Sequence, residues 1–288
     1  MEVEHYAIFS NSKAGKGSAL KLLPDFECFL TGKKITYEIF ADSLPVTLTG
    51  FNCIVIMGGD GTINYVINHF KTIVIPIAFL RCGTGNDYNT LHLGSASHKE
   101  QFEIACSNHI VAVDAGTCNG KLFINGVGIG FDGWVVKRNL GKQIFSGQLA
   151  YLTTILSLLL FYKERFIYIE TADKKMMADI FMLSFAKGKT YGGGFRVAPM
   201  AELTDGFLDF VAVKKIGLFN RLRYLPVIEK GKHLQLPFVH FEKAKHIKVT
   251  SNFLLQAHLD GEWMEGKEFD ILVTPNAFKI KSIIKREK

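Results

Sequence analysis

No two of the five cysteines (Cys28, Cys53, Cys82, Cys106, Cys118) stand at C-x-x-C spacing, and their number is odd. Neither a disulfide framework nor a zinc site is indicated, and a reducing, cytoplasmic setting fits this usage. No apolar run is long enough to cross a bilayer. The longest, Leu149 to Tyr162, is broken by Thr153, Thr154 and Ser157 and rises about 21 Å as a helix against roughly 30 Å of hydrocarbon. The start, Met1-Glu-Val-Glu-His-Tyr-Ala-Ile-Phe, is too polar and its apolar run too short for a signal peptide. The nine histidines form no ligand-spaced cluster. There is no helix-turn-helix, ribonucleoprotein-type aromatic signature or zinc finger, which argues against nucleic acid as the partner. A formal charge of +7 suggests an anionic partner, a nucleotide, nucleic acid or an acidic membrane face, and does not choose among them.

What is there begins with Ile54-Val-Ile-Met-Gly58-Gly59-Asp60-Gly61-Thr62, followed by Ile63, Val66, Ile67 and Phe70 at i, i+3, i+4, i+7. This reads as buried parallel strand, glycine turn and helix. Three glycines in five residues let a ligand approach the backbone, and amides at a helix start favour phosphate. The Walker pattern and the dinucleotide fingerprint are both absent. Asp60 among phosphate-facing amides makes sense if a divalent cation lies between them; the plain structural alternative is a tight turn with Asp60 or Thr62 as helix cap.

Two similar turns flank the central one. Residues 5–10 read as a strand ending in Ser10-Asn11-Ser12-Lys13-Ala14-Gly15-Lys16-Gly17, with a helix from about Ala19. Residues 34–40 make a second strand, and a short helix is expected around Pro45. Ile73–Leu80 reads as a strand running into Arg81-Cys82-Gly83-Thr84-Gly85-Asn86-Asp87. Turns from successive βα units gather at the carboxyl edge of one parallel sheet, where open α/β folds bind ligands. From about Ile110 the pattern changes to short strands separated by turn residues, near 111–116, 121–125, 166–170, 180–185, 208–213, 246–250, 254–259 and 269–273, with 149–162 as the one long helix. The fold class expected is therefore α/β plus β. An N-terminal open parallel, Rossmann-like domain over 1–109, to which 277–288 returns, precedes an antiparallel β-sandwich over 110–276.

The chain resembles the diacylglycerol kinase catalytic-domain family, particularly the soluble bacterial lipid kinases. The resemblance rests on Gly58-Gly59-Asp60-Gly61-Thr62 with Asn64, Gly83-Thr84-Gly85-Asn86-Asp87, Phe123-Ile124-Asn125 with Gly128-Ile129-Gly130-Phe131-Asp132, Gly192-Gly193-Gly194-Phe195, Asp205-Gly206-Phe207-Leu208-Asp209, and Leu259-Asp260-Gly261-Glu262. It implies an ATP-dependent kinase acting on a lipid hydroxyl, with the nucleotide in the interdomain cleft. The nucleotide contacts implied are Asn11, Ser12, Lys13, Ala14 and Gly15, then Gly58 through Asn64 (with Ile63), and Thr84, Asn86 and Asp87. Mg²⁺ falls to Asp205, Glu202 and Phe207, and the proton acceptor to Glu262, with Asp60 and Asp205 on the cation side. Ser12 stands where the family usually has Pro, Tyr65 where an acidic residue follows Asn64, and Arg81-Cys82 replaces a Pro-containing entry to the third turn. Asp87 serves equally as a helix cap, and Asp205-Gly206 and Asp260-Gly261 are common turn dipeptides. The rivals are NAD kinase, which shares the Gly-Gly-Asp-Gly-Thr turn, and a non-catalytic lipid or nucleotide sensor. The expected partner is a lipid at an anionic membrane surface, reached peripherally through basic charge and the apolar stretch flanked by Lys142, Lys163 and Arg165. A homodimer is left open.

Overall fold

The computed structural model describes residues 4–140 and 147–284; the polar start at 1–3, Lys142 and the end of the basic tail lie outside them. The chain divides into two compact units, Met1–Val113 with Asn276–Lys288, and Asp114–Pro275.

The first unit runs β1 (His5–Ser10), α1 (Ser18–Gly32), β2 (Thr36–Ala41), β3 (Cys53–Gly58), α2 (Asp60–Phe70), β4 (Ile77–Arg81), α3 (Asp87–Leu93) and α4 (His98–Ala105). Its strands lie in the order β2-β1-β3-β4, all parallel. Every residue of β3 is buried, as a strand with both faces covered requires. Helix α1 turns Ala19, Leu22, Phe26 and Leu30 onto one face of this sheet, against Tyr6, Ile8 and Val55. Each such large side chain removed from water contributes about 1.5–3 kcal/mol. Helix α2 buries Ile63, Val66 and Ile67. Two expectations fail here. No helix forms around Pro45, because 42–52, with Ser43, Pro45, Thr47, Thr49 and Gly50, makes bends and turns instead. The fourth parallel strand begins at Ile77 rather than Ile73, since Pro76 has no N–H for the ladder and offers only its carbonyl, to Ile54 N.

The second unit takes up the chain within β5 (Ile110–Cys118) and adds β6 (Lys121–Phe123), β7 (Gly126–Gly130), α5 (Phe131–Asn139), α6 (Gly147–Phe161), β8 (Arg165–Thr171), β9 (Lys175–Ala186), β10 (Leu208–Lys214), α7 (Leu218–Glu229), β11 (Val239–Ala244), β12 (His246–Leu259) and β13 (Glu262–Lys281). The ladders joining β7 to β12 and their neighbours are antiparallel, and their core centres on Phe123, Phe185, Phe210, Ile247 and Phe269. The segments at 246–250 and 254–259 form one strand with an irregularity between Thr250 and Leu255. Helix α6 has companions in α5 and α7. Arg221 of α7 donates to the carbonyls of Leu159 and Tyr162 at 2.8 and 2.9 Å and pairs with Glu164 at 2.7 Å, satisfying the orphan acceptors at the end of α6. Ile155, Leu158, Leu159 and Tyr162 are buried on one side, while Leu156, Leu160 and Phe161 are exposed.

The last strand leaves the second unit at Pro275 and finishes in the first. Ile280 pairs parallel with Ile77, and the buried Lys281 ammonium donates to Tyr6 Oη at 2.7 Å.

Candidate active site

In the first unit the three turns are locked together. Gly59 and Gly83 approach so closely that a Cβ on either would strike the other's turn, Gly59 meeting the Gly85 carbonyl and Gly83 meeting the Gly59 Cα. That contact, rather than a special φ, is why glycine stands at both. Cys82 N donates to Gly58 O, Asp60 N to Gly85 O at 3.1 Å, and Asn89 Nδ2 to Gly58 O at 3.0 Å. Asn11 Nδ2 ties the first turn to Thr62 Oγ1 at 3.0 Å. Asn86 closes the third turn on itself, donating to Gly83 O at 2.6 Å. Lys13, Lys16, Gly61, Thr84 and Gly85 are left exposed, so the cluster presents glycine backbone, a hydroxyl and two ammoniums to solvent. Gly59 is the N-cap of α2 and has no side chain to cap it with; the amides of Asp60, Thr62 and Ile63 donate instead to the Gly85 and Gly59 carbonyls.

Asp60 has a clear structural task. Its carboxylate accepts the amides of Asp87 at 2.9 Å and Tyr88 at 3.2 Å, so it holds the start of α3 rather than capping its own helix. The Asp87 amide is thus itself capped. Two of the departures, Ser12 and Arg81, have structural tasks. Ser12 donates both N–H (2.8 Å) and Oγ–H to Asp42, bonds that a proline nitrogen cannot make, and these hold the Asp42 carboxyl below its usual range. Arg81 donates to the carbonyls of Gly94 and Ala96 at 2.6 and 2.5 Å, fastening the loop after α3.

In the second unit Glu262 opens β13, exposed, directly after the two-residue turn Asp260-Gly261. The turn is fixed by Asp260, whose carboxylate accepts the amides of Ile124, Asn125 and Gly126, each at 2.9 Å. Beside it lies a group in which Gly128 and Asp132, from one of the quoted blocks, meet Tyr191 and His258, which the sequence patterns did not single out. Gly128 is packed against both His258 and Asp132, Tyr191 Oη donates to Asp132 Oδ2 at 3.0 Å, and the Tyr191 and His258 rings stand edge to face at 5.3 Å. Burial pushes the Asp132 carboxyl up to about 7 against the opposing Tyr191 bond, and pushes His258 down to about 4.

The magnesium ligands implied by the resemblance are brought together, but around a lysine. Lys187 Nζ donates to Asp205 Oδ1 at 2.8 Å, Phe207 O at 2.7 Å and Asp114 Oδ2 at 3.0 Å. Lys243 Nζ takes the other Asp205 oxygen at 2.6 Å and reaches Glu202 at 3.3 Å. Burial raises the Asp205 pKa, yet the two ammoniums outweigh it and hold the carboxyl below its usual range. This set does not fit a resident divalent ion, since the carboxylate and the carbonyl that would bind it already face ammonium groups. No group of three acidic, histidine or cysteine side chains suited to a metal occurs among the described residues. Lys187 and Asp114 had one signal in the sequence, a charge set within an apolar strand: Asp114 in Val111-Ala-Val-Asp-Ala, Lys187 after Phe181-Met-Leu-Ser-Phe-Ala.

Residues 5–118 match the diacylglycerol kinase catalytic domain, and residues 125–282 match the YegS C-terminal NAD kinase beta sandwich-like domain. A diacylglycerol kinase of Staphylococcus saprophyticus is 27% identical over 97% of this chain and 98% of its own. One of Bacillus subtilis is 28% identical over 75% of this chain and 73% of its own. A crystal structure of a diacylglycerol kinase from Bacillus anthracis superposes with a TM-score of 0.74 at 19% identity, covering 98% of both chains, and so shares the fold. With both halves matched in order, the chain belongs to the diacylglycerol kinase catalytic-domain family and is, in general terms, a nucleotide-using lipid kinase.

Proposed function

We propose that the protein transfers the γ-phosphate of ATP, taken up as its magnesium complex, to the hydroxyl of a diacylglycerol-like lipid. The observation that carries this reading is the interlock of Gly59 with Gly83 and Gly85, which builds a Cβ-free ledge flanked by Lys13, Lys16 and Thr84. Asn11 to Gly15, Gly58 to Asn64, Thr84, Asn86 and Asp87 would receive the nucleotide there. Phosphoryl transfer asks the protein mainly for alignment, charge neutralisation and a base near the attacking oxygen. Glu262 supplies the base: exposed, yet set on a turn pinned by three amides, it takes the proton of the hydroxyl as the O–P bond forms and ADP leaves. Asp60, whose carboxylate holds the third turn in place, would stand on the cation side of the bound nucleotide.

The lipid has to be met at an interface. Among the described residues no helix is long and apolar enough to cross a membrane. Leu156, Leu160 and Phe161 of α6, with Leu218, Phe219 and Leu222 of α7, are exposed, and Lys163, two residues past the end of α6, is exposed as well. These groups suit a peripheral, reversible contact with an anionic surface, each basic residue contributing about 1 kcal/mol there.

The deciding experiment offers diacylglycerol, phosphatidylglycerol, a sphingoid base, a ceramide and NAD to the purified protein with Mg²⁺ and labelled ATP, reading products by mass. A phosphorylated lipid is expected. Phosphorylated NAD without lipid product would establish the NAD kinase reading instead, and no product with retained ATP or lipid binding would establish a sensor. Sedimentation with neutral and anionic vesicles at two salt concentrations tests the surface: binding should rise with anionic lipid and weaken with salt.

A further inference from the structure

We propose that the Lys187 ammonium is a built-in cation that takes the place of a resident divalent ion, so that the 202–207 loop is held in order without metal.

All three donors of this ammonium are used, on Asp114 Oδ2, Asp205 Oδ1 and Phe207 O. The Lys187 side chain is fully buried and that of Asp114 is 2% exposed. A lysine stripped of water survives only against fixed negative partners, and here the partners are themselves fixed. Gly206 N donates to Asp114 Oδ2 at 2.7 Å, and Phe207 N to Asp205 Oδ1 at 3.1 Å. The base of the lysine is equally set: its own N–H and that of Gly188 both donate to Asn125 O, at 2.9 and 3.0 Å. A magnesium ion bound to Asp205 and the Phe207 carbonyl would need both oxygens at about 2.0–2.1 Å and octahedral room around it. The ammonium stands 2.8 and 2.7 Å from those same oxygens and would be thrust against the ion. Lys243 neutralises the outer Asp205 oxygen, so the loop's negative charge is met from two sides by side chains. A tethered cation cannot dissociate, and chelators have nothing to remove.

This inference does not rest on the kinase reading, and its test avoids turnover, where magnesium is already part of the nucleotide. Calorimetric Tm is measured without nucleotide, in EDTA and in millimolar Mg²⁺, for the wild type, Lys187→Ala, Lys187→Arg and Lys187→Ala combined with Asp205→Asn; Mn²⁺ binding is followed by electron paramagnetic resonance. The wild-type Tm should be the same in both media, with no tight Mn²⁺ site. Lys187→Ala in EDTA should fall by roughly 6–20 °C, recover in part with Mg²⁺, acquire a Mn²⁺ site, and lose both gains when Asp205→Asn is added. Lys187→Arg should stay indifferent to metal. If Lys187→Ala does not fold, the wild-type and Lys187→Arg measurements decide. An EDTA-sensitive wild type with a tight Mn²⁺ site overturns the proposal, as does a Lys187→Ala protein with wild-type Tm in EDTA.

Discussion

Asp260→Asn separates the two duties of the Asp260-Gly261 turn. Asp260 and Gly261 have φ of +50° and +87°, the left-handed backbone of a two-residue hairpin turn that asparagine accepts as readily as aspartate. Shape and turn are therefore preserved, and only the carboxylate is lost. In the wild type Oδ1 accepts the amides of Asn125 and Gly126, and Oδ2 that of Ile124. In the variant one oxygen becomes an NH₂ facing an N–H, so at least one bond disappears and the remaining ones lose their charge. A hydrogen bond to a charged group contributes about 1.5–3 kcal/mol and a neutral one about 0.5–1.5 kcal/mol. One loss and two weakenings, discounted because the side chain is only half-buried, come to about 3 kcal/mol. In a unit of this size that lowers Tm by roughly 6–12 °C. Scanning calorimetry reads the total, and hydrogen exchange at residues 124–126 locates it, with protection expected to fall on the order of a hundredfold. A Tm within about 1 °C of wild type would refute the reasoning, and a lowered Tm with unchanged protection at those amides would show that the cost lies elsewhere.

Gly59→Ala places a methyl into the Gly85 carbonyl and should abolish ATP binding by calorimetric titration; retained affinity would mean that the nucleotide does not use this ledge. Glu262→Gln should lower kcat on the order of a hundredfold with little change in KM for ATP, whereas a change confined to KM would remove Glu262 from the base role. Asp132 is predicted to make stability depend on pH. Its folded pKa of about 7 lies above the unfolded value, so the folded state holds the extra proton between about pH 4 and 7 and loses stability as pH rises through that window. Asp132→Asn escapes this loss. Because Asp132 is half-buried as a residue, about 2 kcal/mol is expected rather than the full shift. The Tm difference, variant minus wild type, should therefore grow by roughly 4–8 °C from pH 4 to pH 8. His258 titrates in the opposite sense, but in both proteins, and drops out of the difference; a flat difference would place Asp132 in water.

What could be read from residue order was the part governed by local rules. The buried run at Ile54–Met57 and the spacing of Ile63, Val66 and Ile67 determine strand and helix by themselves, and the glycines mark the turns. What could not be read depends on partners far away in the chain. The strand Gly126-Val-Gly-Ile-Gly has its strand propensity weakened by three glycines and is held by the pairing of Val127 with Phe185 and of Gly128 with His258. Asp60 looks like a ligand or a cap in sequence, and only the arrival of Asp87 and Tyr88 shows what its oxygens do. The lysine that fills the expected magnesium position comes from the end of β9, 18 residues before Asp205, where no motif points to it.

The return of the last strand has a consequence for the order in which the protein is made. Unit Asp114–Pro275 is a single uninterrupted stretch, so all of it has left the ribosome before the other unit is complete. The first 113 residues emerge earlier but lack Ile280 beside Ile77, Lys281 under Tyr6, and Ser282 against His92. The half made first is thus finished last. Until then its β4 edge stands open, a surface that a nascent chain has to keep from pairing with its neighbours.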